Sequence, residues 1–178
     1  MTTGMRCTAR RAHSDPRAYR NALGQYATGV TVITARGADG RRVGITASSF
    51  TSVSLHPRLV SWCLSKTATH LAELEIATHF AVNVLAADQH DLSRQFAAPT
   101  QNVTPHDKFA EVDLTEGIAG LPLIDGAVAR FQCRTVSRIE AGDHVIFLGE
   151  VEHYDAHGGD PLLYHRGHYR TAATHPDL

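Results

Sequence analysis

The chain has 178 residues and a mass of 19.3 kDa, with 17 Lys and Arg, 18 Asp and Glu, 12 His and 3 Cys. This length predicts one domain whose core is built by ordinary packing. A formal net charge of -1, with no Lys or Arg run longer than two residues, excludes the positive surface that follows a polyanion. We therefore expect no nucleic-acid partner.

The cysteines and the hydropathy pattern indicate a cytoplasmic protein. The chain has an odd number of cysteines, Cys7, Cys63 and Cys133, and no C-x-x-C pair. Neither a disulfide framework nor a thiolate zinc site is therefore indicated. No stretch approaches the ~20 apolar residues that span a bilayer. Residues 1–15 lack the apolar segment of a signal peptide. We expect no membrane partner and a frayed N-terminus over residues 1–15.

The first half of the chain alternates short helices with strands. Ser14 or Asp15 before Pro16 is typical of an N-cap, and apolar residues at helical spacing follow as far as Tyr26. Two further helices are predicted, one led by Thr67 or Thr69 and one led by Asp88. Runs rich in β-branched residues predict strands at GVTVITA (29–35), VGITASSFTSVSL (43–55), LVSWCL (59–64) and FAVNVL (80–85).

The last third of the chain is β structure, with strands predicted at AVARFQCRTVS (127–137), HVIFLGEVE (144–152) and PLLYHRGHYR (161–170). In the first of these, Arg130, Gln132 and Arg134 alternate with apolar residues, which predicts one buried and one wet face. Six or so strands without regular βα alternation predict a mainly β fold, an antiparallel barrel with peripheral helices. We place this domain at residues 16–172, followed by a tail at 173–178.

Two polar segments are candidates for ligand binding. The stretch 44–52 puts several hydroxyls in succession on a predicted strand, where each needs a partner from neighbouring backbone, water or the polar edge of a planar ligand. The stretch 65–70 places hydroxyls, Lys66 and backbone N–H groups at a strand-to-helix junction, which suits a phosphate or an ordinary capping turn. The helix over 88–96 is open to the same two interpretations.

Single residues give weaker signals. Asn83 lies inside an apolar run and faces either a heterocycle or the wet side of the sheet, and His144 stands at the start of a strand. The histidine pairs 153/157 and 165/168 have metal-like intervals but no H-E-x-x-H motif, so we predict no metal site. The glycine-rich phosphate loops G-x-G-x-x-G and G-x-x-x-x-G-K-[ST] are absent, as is the G-x-S-x-G of many hydrolases.

Six segments taken in chain order resemble the short-chain flavin reductases, the reductase components of two-component flavin-dependent monooxygenases. They are ALGQYATGVTVITA, GITASSFTSVSLHPRLVSWCL, FAVNVLAADQHDLSRQFA, DKFA, GDHVIFLGEV and PLLYHRGHYR. They run from about Arg20 to Arg170. The resemblance implies an antiparallel split β-barrel of the flavin-reductase type, which forms a homodimer and binds FAD or FMN without a Rossmann domain.

The resemblance also implies roles for individual residues. His144, in the G-D-H segment, would be the catalytic residue that positions the nicotinamide, and Tyr169 would border the same pocket. The remaining residues would contact the flavin along its isoalloxazine, ribityl and phosphate parts, and they are Thr46, Ala47, Ser48, Ser49, Ser65, Lys66, Ala81, Asn83, Val84, Ser93, Arg94 and Phe96.

The activity implied is hydride transfer from reduced nicotinamide to flavin, with diffusible reduced flavin passing to a separate monooxygenase. FAD is expected ahead of FMN. NADH is expected ahead of NADPH because no Arg pair is evidently placed for a 2′-phosphate. Two alternatives stay open, a flavin carrier without nicotinamide turnover and a split-barrel FMN oxidase acting on a pyridoxamine-like substrate.

Overall fold

A computed structural model describes residues 15–98 and 107–174. These residues form three α-helices, α1 Pro16–Leu23, α2 Leu71–Ile76 and α3 His90–Ala97. The strands are β1 Thr28–Gly29, β2 Thr31–Arg36, β3 Arg42–Ala47, β4 Thr51–Leu55, β5 Arg58–Ser65, β6 His79–Val84, β7 Leu114–Glu116, β8 Pro122–Ile124, β9 Ala129–Ala141, β10 His144–Ala156, β11 Leu162–His165 and β12 His168–Thr171. Apart from Asp15, the predicted frayed N-terminus lies outside the described residues, as do residues 175–178 of the predicted tail.

Seven strands form one antiparallel sheet in the order β3-β2-β6-β9-β10-β5-β4. A small sheet β1-β11-β12 and the pair β7-β8 flank it. The mainly β, antiparallel fold with peripheral helices is thus confirmed. Within the part of the chain that the structure describes, no helix is long and apolar enough to cross a membrane.

The large sheet is rolled because its two edge strands are consecutive in the chain. Strands β3 and β4 lie at opposite edges, yet only Ser48, Ser49 and Phe50 separate them. The Ser49 hydroxyl donates to the Cys63 carbonyl at 3.2 Å and accepts from the Cys63 N–H at 2.9 Å, which ties this link to β5. The edges approach without pairing, so the barrel stays open. The prediction of one strand over 43–55 is therefore wrong, since the chain leaves the ladder at Ser48.

Aromatic side chains fill the interior of the rolled sheet. The Trp62 ring is fully buried and stacks on Phe147 at a centroid distance of 4.3 Å, with Phe80 edge-on at 5.7 Å. Along β5, buried and more exposed residues alternate, as expected of a strand with one face on the core. The Cys133 thiol is also buried, and burial raises its pKa to about 12, so it is inert as a nucleophile.

Two further strand predictions need correction. The segment 161–170 is a hairpin rather than one strand, because Arg166 and Gly167 adopt positive φ angles of 51° and 79° and reverse the chain. Gln132 is buried instead of wet, because residues 117 and 118 cover the outer face of β9 there. The Gln132 Oε1 accepts a 2.7 Å hydrogen bond from the Ile118 N–H, and an added Cβ at Gly117 would overlap the Gln132 amide.

The helices are held on the outside of the barrel in different ways. Helix α1 begins as predicted, with Asp15 accepting a 2.9 Å hydrogen bond from the Arg17 N–H and Pro16 in its first turn, but none of its residues is buried. Helix α3 lies so close to β3 that a Cβ added at Gly44 would overlap the rings of Phe96 and Phe109. This close approach brings the polar residues of α3 next to the end of β3.

Candidate functional site

Helix α3 links the ends of β3 and β12 through hydroxyl groups. The Thr46 hydroxyl donates to the Ser93 carbonyl oxygen at 2.7 Å. The Ser93 side chain is buried, and its hydroxyl lies 2.9 Å from the hydroxyl of Tyr169. The structure thus brings together three predicted site residues from distant parts of the sequence. With Arg94 we call this group the helix side of the site.

Arg94 supplies the helix side with an exposed positive charge. Its guanidinium carbon lies 5.7 Å from the centre of the Tyr169 ring, and the nearest carboxylate oxygen, on Asp91, is 3.5 Å away. Its side chain is 65% exposed, so the Asp91 pair is weak and the cation can be shared with an anionic ligand. The arrangement suits a phosphate group next to an aromatic ring.

Tyr169 also lines a cavity of about 310 Å³. Its lining includes two residues that sequence reasoning missed, His90 and Arg170. His90 precedes Arg94 by one helical turn, and Arg170 follows Tyr169 directly, so both could have been found from their spacing to predicted residues. The remaining lining residues are Ala87, Leu162 and Thr171.

A second group, which we call the strand-end side, lies where β5 ends and β10 begins. His144 pairs with Ser65 in the sheet, and the Lys66 N–H donates to the Asp143 carbonyl at 2.9 Å. The Lys66 ammonium donates to Glu140 at 2.8 Å. Three predicted site residues, Ser65, Lys66 and His144, therefore meet here as neighbours across two strands.

His144 is held by the residue before it. A 2.8 Å hydrogen bond joins its Nδ1 to the Asp143 carboxylate, and the imidazole is 46% exposed. The hydrogen bond from His144, and the charge of its ring, hold the pKa of Asp143 below the usual range. With Nδ1 engaged, Nε2 is the ring nitrogen left for a ligand.

The strand-end side differs from the expected helix-start phosphate site. The backbone N–H groups of Thr67 and Ala68 donate to the side chain and main chain of Ser65, and the Lys66 N–H is taken by Asp143. Helix α2 begins only at Leu71. A ligand at this end would therefore meet the Ser65 hydroxyl and the Lys66 ammonium, and not a row of unpaired N–H groups.

The link after β3 runs between the two sides. Ala47 is buried, and its carbonyl accepts a 2.8 Å hydrogen bond from the Thr31 hydroxyl. Ser48 and Ser49 are exposed, and Ser49 is bonded to Cys63, two residues before Ser65. The predicted residues 46–49 and 65–66 are thus joined in one path through the Ser49–Cys63 hydrogen bonds, with Ala47 buried and Ser48, Ser49 and Lys66 exposed.

The predicted residues Ala81, Asn83 and Val84 belong to β6, and two of them are buried in the interior. Asn83 is fully buried, and its amide nitrogen donates to the Val32 carbonyl at 3.0 Å and to the Thr34 hydroxyl at 3.2 Å. Its oxygen accepts from the Ile124 N–H at 2.9 Å. The Asn83 amide is therefore occupied by the chain itself and not directed to a heterocycle. Ala81 is likewise fully buried, whereas Val84 is half-buried.

Phe96 supports the site from beneath. Its ring is completely buried between Gly44 and Phe109, with the Phe109 ring 5.0 Å away and edge-on. A ligand would meet Ser93 and Arg94 of α3 rather than Phe96.

A larger cavity, of about 430 Å³, lies at the other end of β3. None of the predicted site residues lines it, and its polar walls come from Arg36, Asp39, Arg41, Arg42, His70 and Glu73 among others. The path that joins the predicted residues is thus separate from this larger cavity. Among the residues that the structure describes, no group of three or more His, Cys, Asp or Glu could hold a metal ion.

Comparison with known proteins places this arrangement in a family. Residues 23–173 match the model of the family described as "Flavin reductase like domain". The chain is 44% identical, over 85% of its length and 83% of the relative's, to "FMN reductase (NADH) SmoA" of Agrobacterium fabrum. It is 46% identical over 157 residues to a protein of Rhizobium meliloti named "Probable flavin reductase", covering 88% of this chain and 49% of that protein.

A solved structure extends the likeness to the fold. The chain superposes on the NADH:FAD oxidoreductase SgcE6 of Streptomyces globisporus with a TM-score of 0.82 and 40% identity, over 92% of this chain and 91% of that one. Against three of the curated relatives, the chain spans only 49–65% of their length. The match over 23–173, the identity and the shared fold together show that the chain belongs to the flavin reductase like family.

Proposed function

We propose that the protein is an NADH-dependent flavin reductase. The reaction transfers a hydride from NADH to an oxidised flavin, which takes one proton from solvent and leaves as reduced flavin, with NAD⁺ as the other product. The observation that carries the proposal is the continuous path of predicted residues from the helix side to the strand-end side. It lies on a fold shared at a TM-score of 0.82 with an NADH:FAD oxidoreductase.

The two sides offer cations and hydroxyls to the phosphates of the flavin. Arg94 and Lys66 are exposed, and the carboxylate that each one pairs with, Asp91 or Glu140, is exposed as well. Such surface pairs contribute little, so a phosphate can replace the carboxylate at small cost. Thr46, Ser48 and Ser49 would line the ribityl and ring parts, and Ser65 would meet the phosphate end together with Lys66. Asn83 and Phe96 hold β6 and α3 in place from the interior.

His144 would place the nicotinamide from the strand-end side, whereas Tyr169 lies on the helix side against Ser93 and Arg94. Hydride transfer needs no general base, and the protein's task is to hold the two rings stacked with the reacting atoms roughly 3–3.5 Å apart. The Asp143 carboxylate fixes the imidazole of His144 through Nδ1 at 2.8 Å. A fixed ring beside the flavin loses less conformational entropy when the nicotinamide binds.

We propose FAD ahead of FMN as the flavin, and NADH ahead of NADPH. The relatives support both flavins, since one is named as an FMN reductase (NADH) and another as an NADH:FAD oxidoreductase. We further propose that reduced flavin diffuses to a separate flavin-dependent monooxygenase in the cytoplasm. Relatives named as reductase components or subunits of such monooxygenases support this partner.

We propose that the protein acts as a homodimer. Helix α1 and the link after it expose Tyr19, Leu23 and Tyr26, the last at 79%, although the helix has an apolar face. The edge strand β4 exposes Val53 and Leu55, the latter at 76%. Large apolar side chains in such number on one small chain favour burial against a second copy.

The deciding experiment follows the loss of NADH absorbance with FAD, with FMN and with no flavin. We expect oxidation that requires flavin, is faster with NADH than with NADPH and has a lower KM for FAD than for FMN. Flavin binding without NADH oxidation would contradict the proposal and leave a flavin carrier. Sedimentation at micromolar concentration tests the dimer, and a monomer would overturn that part alone.

A further inference from the structure

A lysine is buried behind the helix side of the site. Lys108 is 5% exposed, and its ammonium donates a 3.1 Å hydrogen bond to the carbonyl of Phe96. Burial lowers the pKa of Lys108, which shows that the interior disfavours its charge. A lysine buried at the C-terminal end of α3 indicates a structural role there.

The hydrogen bond from Lys108 to α3 is matched by one in the opposite direction. The Gln95 side-chain amide donates to the Lys108 carbonyl at 3.0 Å, so α3 and the 107–109 turn each lend a side chain to the other's backbone. We call Gln95, Phe96 and Lys108 the lysine clamp. The last carbonyls of a helix have no partner inside the helix, and a positive charge near them is favourable. The clamp therefore fixes the C-terminal turn of α3.

The clamped turn is the one that aligns the helix side. Ser93 stands one turn before Phe96, and its hydroxyl and carbonyl are the groups that meet Tyr169 and Thr46. Phe109, next to Lys108, packs with Phe96 over Gly44. Helix α3 contacts β3 at two places, the Thr46–Ser93 hydrogen bond and the packing of Phe96 on Gly44. If the C-terminal turn frays, the second contact is lost, and Ser93 and Arg94 shift.

We propose that Lys108 is a positioning residue for the flavin phosphate, acting through the C-terminal turn of α3 on Ser93 and Arg94. This inference rests on the proposed flavin reductase function. It concerns flavin affinity and not hydride transfer, because neither Lys108 nor Gln95 lines the path of predicted site residues.

The test compares Lys108→Met with wild type by flavin fluorescence titration and by steady-state kinetics. Met keeps the length of the side chain and removes the donor. We expect the flavin Kd and KM to rise roughly 5–10-fold, which corresponds to a loss of up to about 1.4 kcal/mol of binding free energy. At saturating flavin, kcat and the KM for NADH should change by less than about twofold. Gln95→Met, which breaks the other half of the clamp, should give a smaller rise in the same direction.

A matched control separates positioning from general loss of stability. Thr135→Val removes the 3.1 Å hydrogen bond that the Thr135 hydroxyl on β9 donates to the Ala77 carbonyl, at the end of α2 and not of α3. It should lower Tm without changing the flavin Kd. Amide exchange should quicken over residues 93–98 in Lys108→Met only. An unchanged flavin Kd in Lys108→Met, or an equal rise in Thr135→Val, would overturn the inference while leaving the function intact. A wild-type protein that bound no flavin would overturn both.

Discussion

The helix side and the strand-end side are built on opposite principles. On the helix side, Ser93 is buried and its hydrogen bonds run to β3 and β12, so its geometry is set by packing. On the strand-end side, Lys66 and His144 are exposed and paired with exposed carboxylates. The hydroxyl groups of the helix side are thus preorganised, whereas Arg94 and the strand-end side can exchange their partners. Substitutions of Thr46, Ser93 or Tyr169 should change stability and flavin affinity together, and those of Arg94 or the strand-end residues should change affinity alone.

The largest effect is expected from Gly44→Ala. The new methyl would overlap the rings of Phe96 and Phe109 and push α3 off β3. Overpacking of this kind typically costs about 1–3 kcal/mol, and we expect flavin binding to weaken with it. Urea unfolding and flavin titration measure the two effects. Gly29→Ala is the matched control, because nothing lies within 4 Å of an added Cβ there. Equal stabilities of the two variants would show that α3 does not depend on Gly44.

The next effect concerns the shared hydrogen bond of the helix side. Ser93→Ala leaves the Tyr169 hydroxyl without its 2.9 Å partner, and Tyr169→Phe does the reverse to the buried Ser93. Each single variant should lose about 1–2 kcal/mol of unfolding free energy. The double variant should lose less than the sum of the two, since no hydroxyl is left unpaired. Strict additivity would show that the two hydroxyls are not coupled.

A smaller and more selective effect is expected from His144→Ala on the strand-end side. The KM for NADH should rise by roughly fivefold, with kcat at saturating NADH reduced by less, because the imidazole positions the nicotinamide and transfers no proton. Stability should not change, since the ring is exposed. His153→Ala, also on β10 and exposed, is the control. An unchanged KM for NADH in His144→Ala would remove this residue from the site.

The smallest effect is expected from Glu140→Gln. The hydrogen bond from Lys66 and its charge lower the pKa of Glu140, so the ion pair is complete above the ordinary carboxylate pKa and is lost as pH falls through the lowered pKa. Glu140 is fully exposed, so stability should hardly respond. At neutral pH the variant frees Lys66, and the flavin Kd should fall about twofold. The flavin Kd is measured for wild type and variant at neutral and at acidic pH. The two values should differ at neutral pH and become equal at acidic pH, and a difference that persists at acidic pH would contradict this explanation.

Elements with local signals could be predicted from the sequence. Asp15 and Pro16 start α1 where expected, and the β-branched runs locate β2, β5 and β6 within a residue or two. The break at Ser48 could not be predicted, because residues 43–55 keep a β-type composition throughout and only the rolling of the sheet separates β3 from β4. Arg166 and Gly167 reverse the last strand by their backbone conformation, which a pattern of alternation does not show.

The candidate site residues could be proposed from the resemblance, but the contacts that they make could not. Thr46, Ser93 and Tyr169 meet although they lie far apart in the chain, and only the resemblance could join them. The hydrogen bonds of the Asn83 amide go to Thr34 and Ile124, which come close to it through the strand order of the sheet and the packing of a loop. Glu140, which engages Lys66, was missed because the hairpin of β9 and β10 brings it to the end of β5. Asp143, which engages His144, is next to it in the chain and could have been predicted.

The three-residue link between β3 and β4 has a consequence for how the barrel forms. Joining the edges of a rolled sheet is normally a contact between remote parts of a chain, with an entropic cost that grows with the length of the loop closed. Here the edges are joined by only three residues, Ser48, Ser49 and Phe50. Curvature is therefore built in as soon as β3 and β4 form, and the slower search is left to β9 and β10, which must find β6 and β5 across the chain.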